Sequence, residues 1–261
     1  MRQWLPPVAR LGFAARGALY VVVGARAVRA ATGFRHQPTD PQGALRTVER
    51  QDFGELLLAA LAVGLLAYAV WRFAQAWWDL DRKGTSAFAL AVRGSILVSG
   101  VLHAGLGLTA VGMLLGFRRG HGNTLRDWVA RVLSEPQGEW VVGIAGLATI
   151  GVAVAQLRKA WHGHESERLD VSRLPPRTGV WVRRLERSGI AARGVTFALI
   201  GWFLVMAAWW RRASEARGLA DSLRDLRTRP HGPWLLAAVG LGLAAYGVHS
   251  ALCARYRRIV A

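Results

Sequence analysis

Apolar residues in this chain are gathered into six long runs, separated by polar segments that are rich in arginine. The runs cover residues 11–31, 53–78, 89–117, 138–161, 190–210 and 233–253. A helix that crosses about 30 Å of hydrocarbon needs roughly 20 residues at a rise of about 1.5 Å per residue, and each run reaches that length. The pattern therefore predicts an all-α, polytopic membrane protein with six transmembrane helices.

The segments that open the first and fifth runs are copies of one another. Residues 10–17 read Arg-Leu-Gly-Phe-Ala-Ala-Arg-Gly, and residues 187–194 read Arg-Ser-Gly-Ile-Ala-Ala-Arg-Gly. A weaker copy, Ala-Leu-Ala-Val-Arg-Gly, opens the third run at 89–94. Each odd-numbered run is followed by a polar loop, a short amphipathic stretch and an even-numbered run. The chain is therefore predicted to repeat one unit three times, over residues 1–82, 83–170 and 171–261, within one membrane domain.

Each unit contains two spans, so all three units enter the membrane from the same side. Parallel repeats of this kind are related by an axis along the membrane normal. We therefore expect a bundle with approximate threefold pseudosymmetry, and short interfacial helices between the two spans of each unit.

Three two-span units that each open with a variant of Arg-x-Gly-x-x-Ala-Arg-Gly resemble the bacterial membrane family catalogued as domain of unknown function 1206. The resemblance extends over nearly the whole chain. The middle unit departs from the motif, because Ala87 and Ala89 replace its leading arginine and glycine. The resemblance implies a membrane location and a three-repeat architecture, and it implies no activity.

Composition supports a membrane protein and excludes two other classes. Charged residues are 19% of the chain, against about 25% in soluble domains. Cys253 is the only cysteine, which excludes a disulfide scaffold. The net charge of +18 does not predict nucleic-acid binding, because the basic residues are spread between the apolar runs. The predicted partners are the lipid bilayer and its anionic lipids, with a homo-oligomer or another membrane protein as open alternatives.

The distribution of basic residues predicts the orientation. Of the 34 lysines and arginines, 18 lie on the side of the chain termini, 13 on the other side and 3 within the runs. Basic loops face the cytoplasm in multi-pass proteins. We expect a plasma-membrane protein with both termini in the cytoplasm.

Three arginines, each followed by glycine, are the first candidate site: Arg16, Arg93 and Arg193. Symmetric packing would place their guanidinium groups at one depth, near the cytoplasmic face. Three convergent guanidinium groups suit a carboxylate, a phosphate or a lipid headgroup. Two alternatives remain open: each arginine sets topology at the interface, or each makes a contact between repeats.

A second candidate set lies in the even-numbered runs. Arg72, Gln156 and Ser250 occupy one aligned position, and His249 precedes the serine. Polar residues within a span usually face the bundle interior or water. A purely structural role is the alternative, for instance an ion pair between Arg72 and Asp79.

The chain contains no recognisable catalytic motif, and we predict neither an enzyme nor a cofactor. Two histidines, His103 and His249, could ligate a haem only if they lay at one depth, and their positions differ by roughly 10 Å. His162 and His164 form a short tract that could bind a metal. The leading hypothesis is a membrane protein that binds or passes a small anionic solute. A lipid-interacting scaffold and a haem- or metal-binding redox subunit are the alternatives.

Overall fold

The computed structural model describes residues 3–33, 37–117, 124–162 and 176–257. Within these ranges the chain is built from α-helices in the order long, short, long, repeated three times. The helices are α1 (Leu5–Ala31), α2 (Pro41–Glu49), α3 (Gly54–Trp77), α4 (Ala87–Leu114), α5 (Thr124–Leu133), α6 (Gly138–His162), α7 (Pro176–Trp209), α8 (Leu219–Thr228) and α9 (Gly232–Tyr256). The six long helices are each long and apolar enough to cross a membrane. The predicted all-α, multi-pass architecture of three two-span repeats is confirmed.

Two of the odd-numbered spans begin well before the predicted apolar run. Helix α1 begins at Leu5, where prolines occupy its first positions, and α7 begins at Pro176. Proline is favoured at the first position of a helix because its missing N–H has no partner there. Leu5 and Ala9 are fully buried in one cluster with Val182 of α7. This burial depends on tertiary packing, so apolar runs alone do not predict it.

The three even-numbered spans begin with the same local structure. Phe53, Gln137 and His231 adopt left-handed φ angles of 58°, 62° and 57°. A glycine follows each of them, and a Cβ there would strike the backbone carbonyl of Glu49, Val132 or Leu226, respectively. Each carbonyl belongs to the short helix before the span. Glycine therefore lets the chain reverse tightly from the short helix into the long one.

Each even-numbered span packs against the odd-numbered span of the following repeat. The pairs are α3 with α4, α6 with α7, and α9 with α1, which closes the chain back on its beginning. At the α1–α9 crossing, a Cβ on Gly24 would lie 2.5 Å from the Gly240 carbonyl oxygen. At the α6–α7 crossing, a Cβ on Gly201 would lie 2.9 Å from that of Gly146. Small residues thus bring these backbones together at corresponding positions of two repeats.

The interface within a repeat forms in the first and third repeats. Helix α1 packs against α3, and α7 packs against α9. Gly12 meets Tyr68 in one repeat and Gly189 meets Tyr246 in the other. In both, an added Cβ would lie 2.6 Å from the tyrosine Cα. The same contact thus recurs with the same geometry, as approximate threefold symmetry requires.

The middle repeat breaks this symmetry. Among the described residues, α4 and α6 form no comparable interface, so the helices run in the order α4–α3–α1–α9–α7–α6 around the bundle. Only 22% and 17% of the most apolar windows of α4 and α6 are buried, against 44–50% in the other four spans. We call the side between α4 and α6 the open side.

Candidate functional site

Arg16 is buried inside the bundle, well away from the helix end. It lies eleven residues after Leu5, which is about 17 Å along α1. Its Nη1 donates a hydrogen bond to the hydroxyl of Tyr68 on α3. Its guanidinium carbon lies 4.9 Å from the ring centre of Tyr68 and 4.6 Å from that of Tyr246. The sequence places this arginine near the start of its apolar run, and it lies farther from the helix end because α1 begins at Leu5.

Arg193 makes the equivalent contacts in the third repeat. Its Nη1 donates to the hydroxyl of Tyr246 on α9 at 2.6 Å. Its guanidinium carbon lies 4.5 Å from the ring centre of Tyr246 and 5.7 Å from that of Tyr20 on α1. Arg16 and Arg193 therefore both contact the ring of Tyr246, and the structure brings these two predicted residues together.

Aromatic rings and one histidine complete the surroundings of the two arginines. The rings of Tyr20 and Tyr246 meet edge to face, with their centres 5.0 Å apart. The ring of His103 on α4 lies 4.6 Å from that of Tyr68. His103 Nδ1 donates a hydrogen bond to the Ser99 carbonyl oxygen at 2.7 Å. We call the group the arginine–tyrosine cluster; its members are Arg16, Arg193, Tyr20, Tyr68, Tyr246 and His103.

The cluster is electrically positive. Arg16 makes no ion pair within the described ranges, and its Nε has no hydrogen-bond partner there. The buried carboxylate of Glu186 lies on α7 seven residues before Arg193, about 10 Å along the helix. The ion pairs of Arg211 with Glu139 and of Arg224 with Asp221 lie at the opposite end of the bundle, beside α6 and α8. A buried guanidinium is costly without a counter-charge, and aromatic faces compensate only part of that cost.

Arg72 extends the positive region toward the loop that follows α3. Its guanidinium carbon lies 5.3 Å from the ring centre of Tyr68, and its Nη1 donates to Gln75 Oε1 at 2.8 Å. Gln75 Nε2 in turn donates to Asp81 Oδ2 at 2.8 Å. Arg72 therefore reaches a carboxylate through Gln75 and does not pair with Asp79.

Asp79 has a local role in the same loop. Its carboxylate accepts hydrogen bonds from the backbone N–H groups of Gly84 and Lys83, at 2.7 and 2.8 Å. These bonds favour the ionised form, so they hold the pKa of Asp79 below its usual value. The residue ties the start of the loop to its end.

Arg93, the third predicted member of the arginine ring, lies elsewhere. Its Nε donates to the carbonyl of Ala76 at 2.9 Å and its Nη2 to that of Trp77 at 3.2 Å. These carbonyls end α3 and have no partner in the helix, so a guanidinium is favoured there. Val152 occupies the position where the other even-numbered spans carry tyrosine, so the middle repeat offers Arg93 no hydroxyl. The predicted ring of three guanidinium groups therefore contains two.

The polar residues that were predicted at one level of the even-numbered spans do not form one site. Ser250 is buried, and its hydroxyl donates to the carbonyl of Phe13 on α1 at 3.0 Å. Gln156 is half-buried on α6. His249 Nε2 lies 3.4 Å from Cys253 Sγ, while His103 contacts Tyr68. The two histidines of the haem hypothesis thus have different neighbours.

The described ranges hold no group of three or more His, Cys, Asp and Glu side chains that could bind a metal. Of the predicted tract, His162 lies at the end of α6, with Nδ1 2.9 Å from the Arg158 carbonyl oxygen. His164 lies outside the described residues.

The tyrosines are the members that sequence reasoning missed. Tyr68 and Tyr246 occupy one aligned position in the even-numbered spans, four residues after Gly64 and Gly242. That alignment was visible as part of the repeat. Their contact with the arginines depends on how α1 packs on α3 and α7 on α9, which the alignment alone does not show.

Comparisons with known proteins agree with the repeat. The family model described as Domain of Unknown Function (DUF1206) matches residues 11–79, 94–163 and 188–257. Uncharacterized protein YxxB of Bacillus subtilis (strain 168) is 29% identical to this chain over 258 residues, which cover 99% of this chain and 93% of that relative. No solved structure matches the chain.

Proposed function

We propose that this chain, which belongs to the family described as Domain of Unknown Function (DUF1206), binds a small anionic group at the arginine–tyrosine cluster inside its helix bundle. The observation that carries the proposal is the environment of Arg16. This arginine is 6% exposed, makes no ion pair within the described ranges and lies beside a second arginine on the ring of Tyr246. Ionisable groups within a membrane span are rare and usually mark a functional site.

The cluster has the chemistry that an anion requires. Guanidinium groups bind carboxylates and phosphates through paired N–H donors, and such charge-assisted bonds are roughly twice as strong as neutral ones. Arg16 Nε is a donor without a partner within the described ranges. We therefore favour a single carboxylate or phosphate as the bound group.

The surroundings of the protein complete the proposal. It resides in the plasma membrane with both termini in the cytoplasm, as the excess of basic residues on that side favours. It contacts anionic lipids through those basic loops. It acts by binding, or by passing, the anion and not as an enzyme.

Thermal unfolding of the purified protein in an uncharged detergent tests the proposal. Inorganic phosphate and butyrate would be titrated against the wild type, Arg16→Gln and Arg93→Gln. A ligand that binds only the folded state stabilises it by about 2.7 kcal/mol at 100 times its Kd. We expect a rise in Tm with one of the two anions in the wild type, and a much smaller rise in Arg16→Gln.

Arg93→Gln is the matched control. It removes the same charge, but from an arginine of α4 that binds the end of α3, and it leaves the cluster intact. Its starting Tm is expected to fall, but its response to the anion should equal that of the wild type. An unchanged response in Arg16→Gln, or no response to either anion in the wild type, would contradict the proposal.

A further inference from the structure

The open side of the bundle lies where the third copy of the arginine–tyrosine pair would be. Building on the anion site proposed above, we infer that this side admits a long-chain amphiphile from the bilayer. Its single carboxylate or phosphate head would bind between Arg16 and Arg193, and its chain would lie between α4 and α6.

The missing third pair lies at the level of the cluster. Val152 on α6 aligns with Tyr68 and Tyr246, and Arg93 on α4 aligns with Arg16 and Arg193. In the other two repeats these positions form the arginine–tyrosine pairs. A third pair would have closed the wall at the same level. Since Arg93 is instead bound to the end of α3 and Val152 has no hydroxyl, the wall is missing at that level.

The residues of the middle repeat explain why its two spans, α4 and α6, do not pack against each other. In α1 and α7 the close contact with the even-numbered span uses a glycine and an alanine, and the partner span supplies another glycine and the tyrosine. The middle repeat carries larger residues at three of these positions and a smaller one at the fourth: Ala89, Val92, Ala148 and Val152. An added Cβ at Gly12 would lie 2.6 Å from the backbone of Tyr68, so the alanine at the equivalent position 89 prevents so close an approach.

The helices that border the open side suit a hydrocarbon chain. Both helices expose apolar side chains along their length: Val101 of α4 is 61% exposed, and Val152 of α6, at the level of the cluster, is 37% exposed. No Asp, Glu, Lys or Arg occurs in α4 after Arg93, or in α6 between Glu139 and Arg158. A free hydrophilic anion would gain nothing from such walls, whereas an acyl chain is favoured along them in proportion to the apolar area that it covers.

The charge of the cluster selects the head of the amphiphile. Arg16 is the positive group without an ion pair in the described ranges, and its neighbour His103 extends from α4, one of the two helices that border the opening. Arg193 extends from α7, on which the other bordering helix, α6, packs. A ligand that enters from the bilayer between α4 and α6 therefore meets the cluster head first.

Binding of radiolabelled palmitate and butyrate by the protein in nanodiscs tests the inference. The decisive variant restores the packing residues of the other repeats through Ala89→Gly, Val92→Ala, Ala148→Gly and Val152→Tyr. It should draw α4 and α6 together and weaken palmitate binding at least about tenfold, the factor that about two buried methylene groups contribute. Butyrate, whose short chain does not need the opening, should bind as in the wild type.

A single substitution gives the same test if the fourfold variant fails to fold. Val152→Trp places a bulky ring at the level of the cluster, whereas Leu147→Trp places the same ring on a different face of α6, where Leu147 is 63% exposed. We expect weaker palmitate binding in the first variant and wild-type binding in the second.

The outcomes separate this inference from the anion site itself. Butyrate binding that depends on Arg16, without any palmitate binding, overturns the lateral entry and leaves the anion site standing. Binding of neither probe overturns both. Undiminished palmitate binding in the restored variant and in Val152→Trp overturns the lateral entry. A wild-type dimer that the fourfold restoration converts to a monomer also overturns it, because a second copy would then cover the open side.

Discussion

Tyr246 lies between two arginines, one from the first repeat and one from the third. Arg16 and Arg193 contact its ring at nearly equal distances, and its hydroxyl accepts from Arg193 alone. Each of the two tyrosine hydroxyls of the cluster therefore accepts a hydrogen bond from a guanidinium group inside the bundle. An unsatisfied charged donor in the interior costs more than its hydrogen bond contributes.

Removal of a cluster hydroxyl is expected to destabilise the protein. Tyr246→Phe keeps the ring but leaves Arg193 Nη1 without this acceptor, and Tyr68→Phe does the same for Arg16. Each should lower the free energy of unfolding by about 1–3 kcal/mol. The measurement is reversible unfolding in mixed micelles. Tyr256→Phe, at the end of α9 and outside the cluster, should stay within about 0.5 kcal/mol of the wild type.

Asp79 predicts a pH dependence that is confined to one loop. Because its pKa is lowered in the folded protein, its contribution is fully present above the usual aspartate pKa of about 3.9 and is lost as the pH falls through the lower folded value. Hydrogen exchange at the amides of Lys83 and Gly84 should accelerate over that acidic interval. Asp79→Asn should abolish this pH dependence, and Asp52→Asn, in a different loop, should preserve it.

Sequence reasoning identified the arginines but not their partners. The motif marked Arg16 and Arg193 because it repeats, and both lie in the cluster. The weaker copy of the motif also marked Arg93, although this residue of α4 binds the end of α3. The difference arises at position 152, where valine replaces tyrosine on another helix. A single-helix motif carries no information about that partner.

At the scale of elements, the glycine that starts each even-numbered span is expected to tolerate no side chain. A Cβ at Gly138 would strike the carbonyl of Val132. Gly138→Ala should therefore cost about 1–3 kcal/mol through overpacking. Gly151→Ala in the same helix is the control. No atom lies within 4 Å of its added Cβ, so it should be neutral or stabilise by up to about 1 kcal/mol. Equal effects of the two substitutions on Tm would contradict the turn described above.

The lengths of the apolar runs predicted the six long helices, but they did not predict where two of these helices begin. Residues 5–10 and 176–189 carry arginine, proline and few apolar positions, so they resemble loops when they are read alone. They are helical because Leu5, Ala9 and Val182 are buried in one cluster that also includes Tyr68 of α3 and Cys253 of α9. Tertiary packing supplies most of the stability of such segments, and apolar run length does not record it.

At the scale of the whole molecule, the repeat predicts six helix–helix interfaces around a ring, three within repeats and three between them, and the described residues form five. The absence of the interface between α4 and α6 follows from the residues at positions 89, 92, 148 and 152. Their meaning emerges only when the equivalent positions in the first and third repeats are seen to touch. Symmetry is therefore predictable from the repeat, whereas its interruption requires the packing.

Pulsed electron paramagnetic resonance can measure the interruption directly. Spin-label pairs at equivalent exposed positions, in a Cys253→Ser background, report on the three repeats: Leu11 with Val70, Phe88 with Val154, and Ser188 with Val248. The middle pair should be farther apart than the other two. It should shorten in the variant with the four restored packing residues. Equal distances in all three pairs would contradict the open side.

The pairing of α1 with α9 has a consequence for how the protein is made. The glycine face of α1 and Arg16 reach the membrane first, yet Gly240 and Tyr246 that cover them are synthesised last. During translation α1 must therefore wait until α9 has been made before Tyr246 can pack on Arg16. A nascent chain stopped before Gly232 should be degraded faster in a pulse–chase experiment than the full chain. The first span of the bundle therefore acquires its partner α9 only when the sixth span has been made.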